Sequence, residues 1–289
     1  MNNLFISRIE FPMIDGFSRS YPVNIVSSLG ETEFSLHSPI TLIYGSNGSG
    51  KSTILNIIAH KLNCDRETKI DPKTIYDRNK RKTISLFDEV AQKTIIYTKG
   101  AYYNNFDVHP KNQRLITSAE VLNHILKKVE HNSRVSNAMN TRMSVMDTWK
   151  WEESDGTLSE GAAYLKKITE RNECAKISIH EKDIHSNGEE IFDYFADILE
   201  NDSVYLLDEP ENCLSTVYQK RLADCIYDLA YNYNCQFIIA SHSPFFLSIK
   251  NAEIINIDAN PAEYCYDWRE LENMQPYFEL FHKDYRGEK

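Results

Sequence analysis

The sequence predicts an α/β fold with a mostly parallel sheet built around a phosphate-binding loop, and three stretches carry that expectation. Ile40 to Leu55 joins an apolar strand, a glycine-rich loop and the start of a helix in the pattern GxxxxGK[ST]. Ser203 to Pro210 is an apolar run that ends in the carboxylates Asp208 and Glu209. Gln236 to Ala240 is a third apolar run, ending in Ser241-His242-Ser243-Pro244. In each case a short buried strand delivers polar residues at its carboxyl end, the edge at which α/β sheets bind ligands.

The chain has 289 residues, of which 42% are hydrophobic, enough for a sizeable core in one large domain with an insertion. No signal-like start and no run of 18 apolar residues is present, so a soluble, cytoplasmic protein without a membrane span is expected. The six cysteines (Cys64, Cys174, Cys213, Cys225, Cys235, Cys265) are scattered without CxxC or paired Cys/His spacing, which indicates neither a disulfide frame nor a zinc site. A net charge of −10 argues against a surface that coats nucleic acid indiscriminately. The basic run Arg78-Asn79-Lys80-Arg81-Lys82, with Lys73 upstream, reads as a solvated loop or a local basic groove.

Taken in order, residues 4–11 and 33–36 read as strands of an N-terminal antiparallel part. Between them, Asp15 to Pro22 is turn-rich and offers Phe17, Arg19 and Tyr21 as candidates for stacking on a base, none preferred over the others. A helix follows over 51–63, its apolar face formed by Ile54, Leu55, Ile57, Ile58 and Leu62. Residues 65–82 are polar and read as an exposed connection. Strands are expected at 83–87 and 94–98, the second in the core and ending near the nucleotide. Thr117-Ser118-Ala119-Glu120 has the pattern of a capping box and opens an amphipathic helix to 131. A further short helix is expected at 158–168, and 100–200 as a whole reads as an inserted, mainly helical lobe. The Ser/Asn/Gly turn at 186–188 starts a helix to about 200. The strand at 203–208, a helix at 214–233, the strands at 236–240 and 253–257, and a helical tail over 262–283 complete the chain.

The chemistry implied by the three strand ends is specific. In the loop Gly45-Ser46-Asn47-Gly48-Ser49-Gly50-Lys51-Ser52-Thr53 the glycines let backbone N–H groups point inward at an anion. Lys51 supplies an ammonium to the outer phosphates, and the Ser52 hydroxyl is a ligand for Mg²⁺. The following helix turns its positive end to the same anion. In a phosphate-loop protein the acid at the end of the 203–208 strand, Asp208, holds the Mg²⁺ shell. Glu209 is placed to act as general base on a water opposite the γ-phosphate. His242 is placed to touch a phosphate or to polarise the catalytic glutamate.

The order of these motifs resembles the ABC-type ATPases, and within them the small soluble branch related to chromosome-maintenance, break-repair and anti-phage ATPases. By that resemblance Gly45 to Thr53 is the Walker A loop, and Leu206-Leu207-Asp208-Glu209-Pro210 is Walker B with the catalytic glutamate. Ser186-Asn187-Gly188-Glu189-Glu190 looks like a short signature motif, Glu211 to Ser215 like the D-loop, and His242 like the switch histidine. The fold implied is a phosphate-loop ABC-type ATPase core. The activity implied is hydrolysis of ATP with Mg²⁺ in a head-to-tail homodimer or higher oligomer, in which Ser186 and Gly188 of one copy meet the γ-phosphate held by the other. Two departures stand out. The strand at 94–98 runs into Lys99-Gly100 without the usual Mg²⁺-sensing glutamine, and neither Gln92 nor Gln113 sits at the expected strand end. The signature also lacks the full LSGGQ of transporter subunits.

The leading expectation is therefore an ATPase whose closure around two ATP molecules drives a partner, with a nuclease or toxin effector, or DNA, as partners that fit the resemblance. A non-hydrolysing ATP-gated binding module is the alternative, and Glu209 argues against it, since a pure sensor needs no positioned base. A phosphate-loop kinase is disfavoured by the order of signature, Asp-Glu and His. GTP is disfavoured because Asn79-Lys80-Arg81-Lys82 lacks the acid of the guanine-reading NKxD pattern.

Overall fold

The computed structural model describes residues 4–14, 19–30, 33–67, 74–77, 82–98, 109–124, 126–127 and 187–285. The chain divides into two compact units, Met1–Glu120 with Phe195–Lys289, and Val121–Tyr194. The first unit contains β1 (Ile6–Glu10), α1 (Val23–Ser28), β2 (Glu33–Ser35), β3 (Ile40–Tyr44), α2 (Lys51–Leu62), β4 (Thr74–Asp77), β5 (Lys82–Ser85), α3 (Leu86–Lys93), β6 (Ile95–Thr98) and β7 (Asn112–Thr117). A helix, α4 (Asn187–Ile198), runs from the second unit into the first. The first unit then continues with β8 (Ser203–Asp208), α5 (Thr216–Asn232), β9 (Gln236–Ala240), α6 (Pro244–Leu247), β10 (Glu253–Asn256), β11 (Glu263–Cys265) and α7 (Gln275–Tyr285).

The main sheet has the order β11-β10-β3-β9-β8-β7, parallel throughout except for β11 at one edge. Every residue of β3 and β9 is buried. Burial on both faces is why these strands read as continuous apolar runs rather than alternating ones. The register sets Leu42 beside Ile239 and Ile254, and Thr117 beside Asp208, so the polar strand ends line up along one edge. The core cluster joins Ile54, Leu55, Ile57 and Ile58 of α2 to Ile43, Leu115, Leu206, Ile238 and Ile255 of the sheet. Burying each such side chain is worth roughly 1.5–3 kcal/mol relative to exposure. That packing anchors the helix whose first turn begins at Lys51.

A second sheet, β2-β1-β6, is antiparallel. It is tied to the main sheet by the buried side chain of Gln236, whose amide accepts from Ile6 N–H and donates to Ile6 C=O, both at 2.8 Å. One side-chain amide thus mimics a backbone partner for β1.

Several expectations are corrected. The strand at 94–98 is not a core strand ending near the nucleotide: β6 pairs with β1 in the antiparallel sheet, and Ile95 is 47% exposed. The strand beside β8 is β7, which the sequence reading did not find. The connection at 65–82 contains β4, which forms a hairpin with β5. The expected strand at 83–87 stops at Ser85, because the Ser85 hydroxyl accepts Asp88 N–H at 3.1 Å and caps α3, with Asp88 and Glu89 in its first turn. The tail is helical only from Gln275, after the edge strand β11 and two 3₁₀ turns. The capping box at Thr117 is present, with Thr117 Oγ1 accepting Glu120 N–H at 3.2 Å and Glu120 Oε2 accepting Thr117 N–H at 3.4 Å.

Of the second unit, residues 121–124, 126–127 and 187–194 are described; there the rings of His124 and Tyr194 lie 4.7 Å apart. The helix expected at 158–168 and most of the 100–200 lobe lie outside the described residues. Among the described residues no helix is long and apolar enough to cross a membrane, no group of His, Cys, Asp and Glu is arranged to hold a metal by itself, and Cys64, Cys225, Cys235 and Cys265 are free thiols.

Candidate functional site

The loop between β3 and α2 is shaped by two glycines. At Gly45 a Cβ would stand 2.9 Å from Ile257 Cγ1 and 2.5 Å from Ser49 Oγ, so the close approach of the chain to the residue that follows β10 admits no side chain. Gly50 caps α2 with φ +105, and a Cβ there would collide with Ile25 of α1. The loop therefore enters α2 in a conformation that only glycine takes without strain. The first-turn N–H groups of α2 are left facing the loop, a site for an anion.

Lys51 is 3% exposed, and its Nζ donates to the carbonyls of Gly45 at 2.8 Å and Ser46 at 3.1 Å. It also stands 3.7 Å from Glu209 Oε1. A buried ammonium is tolerated when such acceptors surround it. Ser52 Oγ donates to Asp208 Oδ1 at 2.9 Å across the gap between α2 and β8. Burial pushes the Asp208 carboxyl up to about 6, opposed by the Ser52 hydrogen bond, which favours the ionised form; nearby Glu209 raises it further. The backbone of Glu209 is left-handed (φ 49, ψ 53), costly for a residue with a side chain, and is locked by its N–H to Ala240 C=O at 2.9 Å. Its Oε2 accepts the Asn212 amide at 2.9 Å, so both carboxylate oxygens are aimed.

The structure thus brings Gly45, Ser46, Ser49, Gly50, Lys51, Ser52, Asp208 and Glu209 together. Asn47 is exposed on the loop, Gly48 has φ +85, and Thr53 is buried in the first turn of α2. His242 follows β9 and is tied to Glu211, whose Oε1 accepts its backbone N–H at 2.8 Å. Gly188 lies in the first turn of α4, and Ser186 lies outside the described residues.

Asp258 and Thr117 were not read as site residues in the sequence, and Glu211 and Asn212 were read there only as part of a D-loop. Asp258, just after β10, accepts Ser46 N–H at 2.6 Å and the Ser46 hydroxyl at 2.9 Å, bracing the loop from outside. No local pattern marks it, since its partner is distant in sequence. Thr117 ends the strand next to Asp208. Glu211 and Asn212 belong to the acidic run after Asp208, a composition that signals a site but not which acid does what.

Residues 40–248, well over half the chain, match the family described as "AAA domain, putative AbiEii toxin, Type IV TA system". No curated protein matches by sequence. Among solved structures, the Smc head domain with an extended coiled coil bound to the C-terminal domain of ScpA, from Pyrococcus furiosus, is 13% identical. It covers 96% of this chain and 99% of that one, with a TM-score of 0.41. The SMC head domain from Thermotoga maritima is also 13% identical over 91% of this chain and 98% of that one, with a TM-score of 0.39. With the phosphate loop, the Asp-Glu strand end and the strands β3, β7, β8 and β9 falling inside the matched span, the chain belongs to this AAA-domain family of α/β phosphate-loop proteins.

Proposed function

We propose that this protein binds ATP with Mg²⁺ and hydrolyses it, and that it does so as a head-to-tail dimer whose closure drives or gates a partner. The observation that carries the reading is the contiguity of Lys51, Ser52, Asp208 and Glu209, from two distant stretches of chain, at one end of the sheet. The donor set fits the group expected there: a hydroxyl and a carboxylate oxygen held side by side are hard ligands suited to Mg²⁺. The Ser49 hydroxyl, buried and without a partner, is an open hydrogen-bonding group in the same loop.

In this reading Lys51 and the loop N–H groups bind the phosphates, and Ser52 and Asp208 hold the metal. Mg²⁺ bound there neutralises charge on the phosphate oxygens. Glu209 takes the proton of the attacking water, its carboxylate aimed by Asn212 and by its constrained backbone. His242 contacts the terminal phosphate. The dimer rests on the likeness of Ser186 to Glu190 to a signature motif, and the partner, a nuclease or toxin effector or DNA, on the same resemblance, with the toxin–antitoxin wording of the family description favouring a toxin.

The test is Glu209→Gln. The amide keeps size and a hydrogen bond but cannot accept the proton, a contribution of roughly 10²–10⁴-fold. Turnover is expected to fall by that factor while ATP still binds, and dimers with trapped ATP should accumulate in light scattering when both ATP and Mg²⁺ are present. Wild-type turnover in the variant would place the base elsewhere. A wild-type protein that binds ATP without turning it over, with partner present, would make it a sensor.

A further inference from the structure

Glu211 sits two residues beyond Glu209, is 6% exposed, and has no part in the chemistry above. Its Oε1 accepts the Ser241 hydroxyl at 2.7 Å and the His242 N–H at 2.8 Å, and lies 3.5 Å from His242 Nδ1. Its other oxygen, Oε2, is buried without a hydrogen-bond partner, and so is His242 Nδ1. A carboxylate can only accept, whereas a ring nitrogen donates when it carries the proton. The carboxylate oxygen beside Nδ1 is Oε1, at 3.5 Å, so a proton on Nδ1 faces a negative charge. With the proton on Nε2 instead, the Nδ1 lone pair would face that oxygen, two acceptors with no proton between them.

We propose that Glu211 is the positioning residue of His242. Its carboxylate holds the imidazole proton on Nδ1 and so leaves Nε2 as the ring nitrogen that meets the substrate phosphate. The side chain of His242 is 42% exposed although Nδ1 is buried, so the rest of the ring is what a ligand reaches. The same 3₁₀ turn, Pro210–Cys213, carries Asn212, which holds the Glu209 carboxylate. Gln219 fastens this turn to the histidine loop, donating to Leu214 C=O at 2.9 Å and accepting the Ser243 hydroxyl at 2.7 Å. One short turn thereby sets two reacting side chains, the base through Asn212 and the histidine through Glu211. The effect on turnover rests on the ATPase reading; the contact between Glu211 and His242 rests on geometry alone.

The experiment uses the full chain labelled with ¹⁵N-histidine. It contains nine histidines, and the His242 ring signals are identified by their loss in His242→Gln. In the wild type the long-range ring correlations of His242 should show the Nδ1–H form. Glu211→Gln keeps an oxygen for Ser241 and His242 N–H but removes the negative charge that faces Nδ1, and the signals should shift away from that form. In the same variant kcat for ATP should fall roughly 10- to 100-fold, the range for a partner that orients a histidine through its second ring nitrogen. KM should stay within about twofold, because the binding loop is untouched. A wild-type His242 in the Nε2–H form overturns the proposal even if the variant does not fold, and so does a Glu211→Gln protein with an unchanged His242 pattern. If the ring signals shift as expected but the wild type has no turnover, the positioning role stands and the ATPase reading fails.

Discussion

Replacing Asp208 with asparagine should stabilise the metal-free protein at pH 8 while abolishing the proposed Mg²⁺-dependent chemistry. Burial holds the Asp208 carboxyl at about 6 in the fold, against 3.8 for an ordinary aspartate. The folded chain therefore keeps a proton that the unfolded chain releases, and stability falls as pH rises through the interval between those values. Well above pH 6 the cost is complete, roughly 3 kcal/mol at 1.36 kcal/mol per tenfold change in affinity for the proton. An asparagine carries no charge to desolvate, and its oxygen still accepts the Ser52 hydroxyl. Its NH₂ group faces surroundings arranged for an acceptor, so the net gain should be about 1–3 kcal/mol. Thermal melts in a chelator at pH 8 should rise by about 2–4 °C per kcal/mol. At pH 5 the wild-type penalty is only about half as large, so the advantage of the variant should shrink in proportion. A variant less stable than wild type at pH 8, or a gain that does not change with pH, would refute the assignment of Asp208 as a buried carboxylate retained for function.

Two further outcomes follow from the same contacts. Lys51→Ala should weaken ATP binding by roughly 100-fold in calorimetry, because it removes the ammonium of the loop and charge-assisted hydrogen bonds are worth about 1.5–3 kcal/mol each; retained affinity would put the phosphates elsewhere. Gln236→Leu should lower stability by roughly 2–5 kcal/mol, since both the N–H and the C=O of Ile6 lose a buried partner, and a melt within a degree of wild type would show that β1 is not held by that amide.

The sequence by itself determined what is local. The glycine loop from Gly45 to Thr53 is legible because the geometry it needs, positive φ and close backbone approach, admits few residue types. The strands ending at Asp208 and Ala240 are legible because a strand buried on both faces is apolar through its middle. Tertiary structure decided everything that depends on pairing across the chain. Residues 94–98 and 112–117 are both short, mixed runs; only sheet assembly places the first beside β1 and the second beside β8, because the backbone hydrogen bonds that choose a strand's neighbour carry no side-chain signature. The clamp of Asp258 on Ser46, the bridge from Gln236 to Ile6 and the seat of His242 on Glu211 are likewise absent from any local pattern. Each is a polar group whose partner is supplied by folding itself, so its identity as brace, tie or positioning residue exists only once burial has removed water as the alternative.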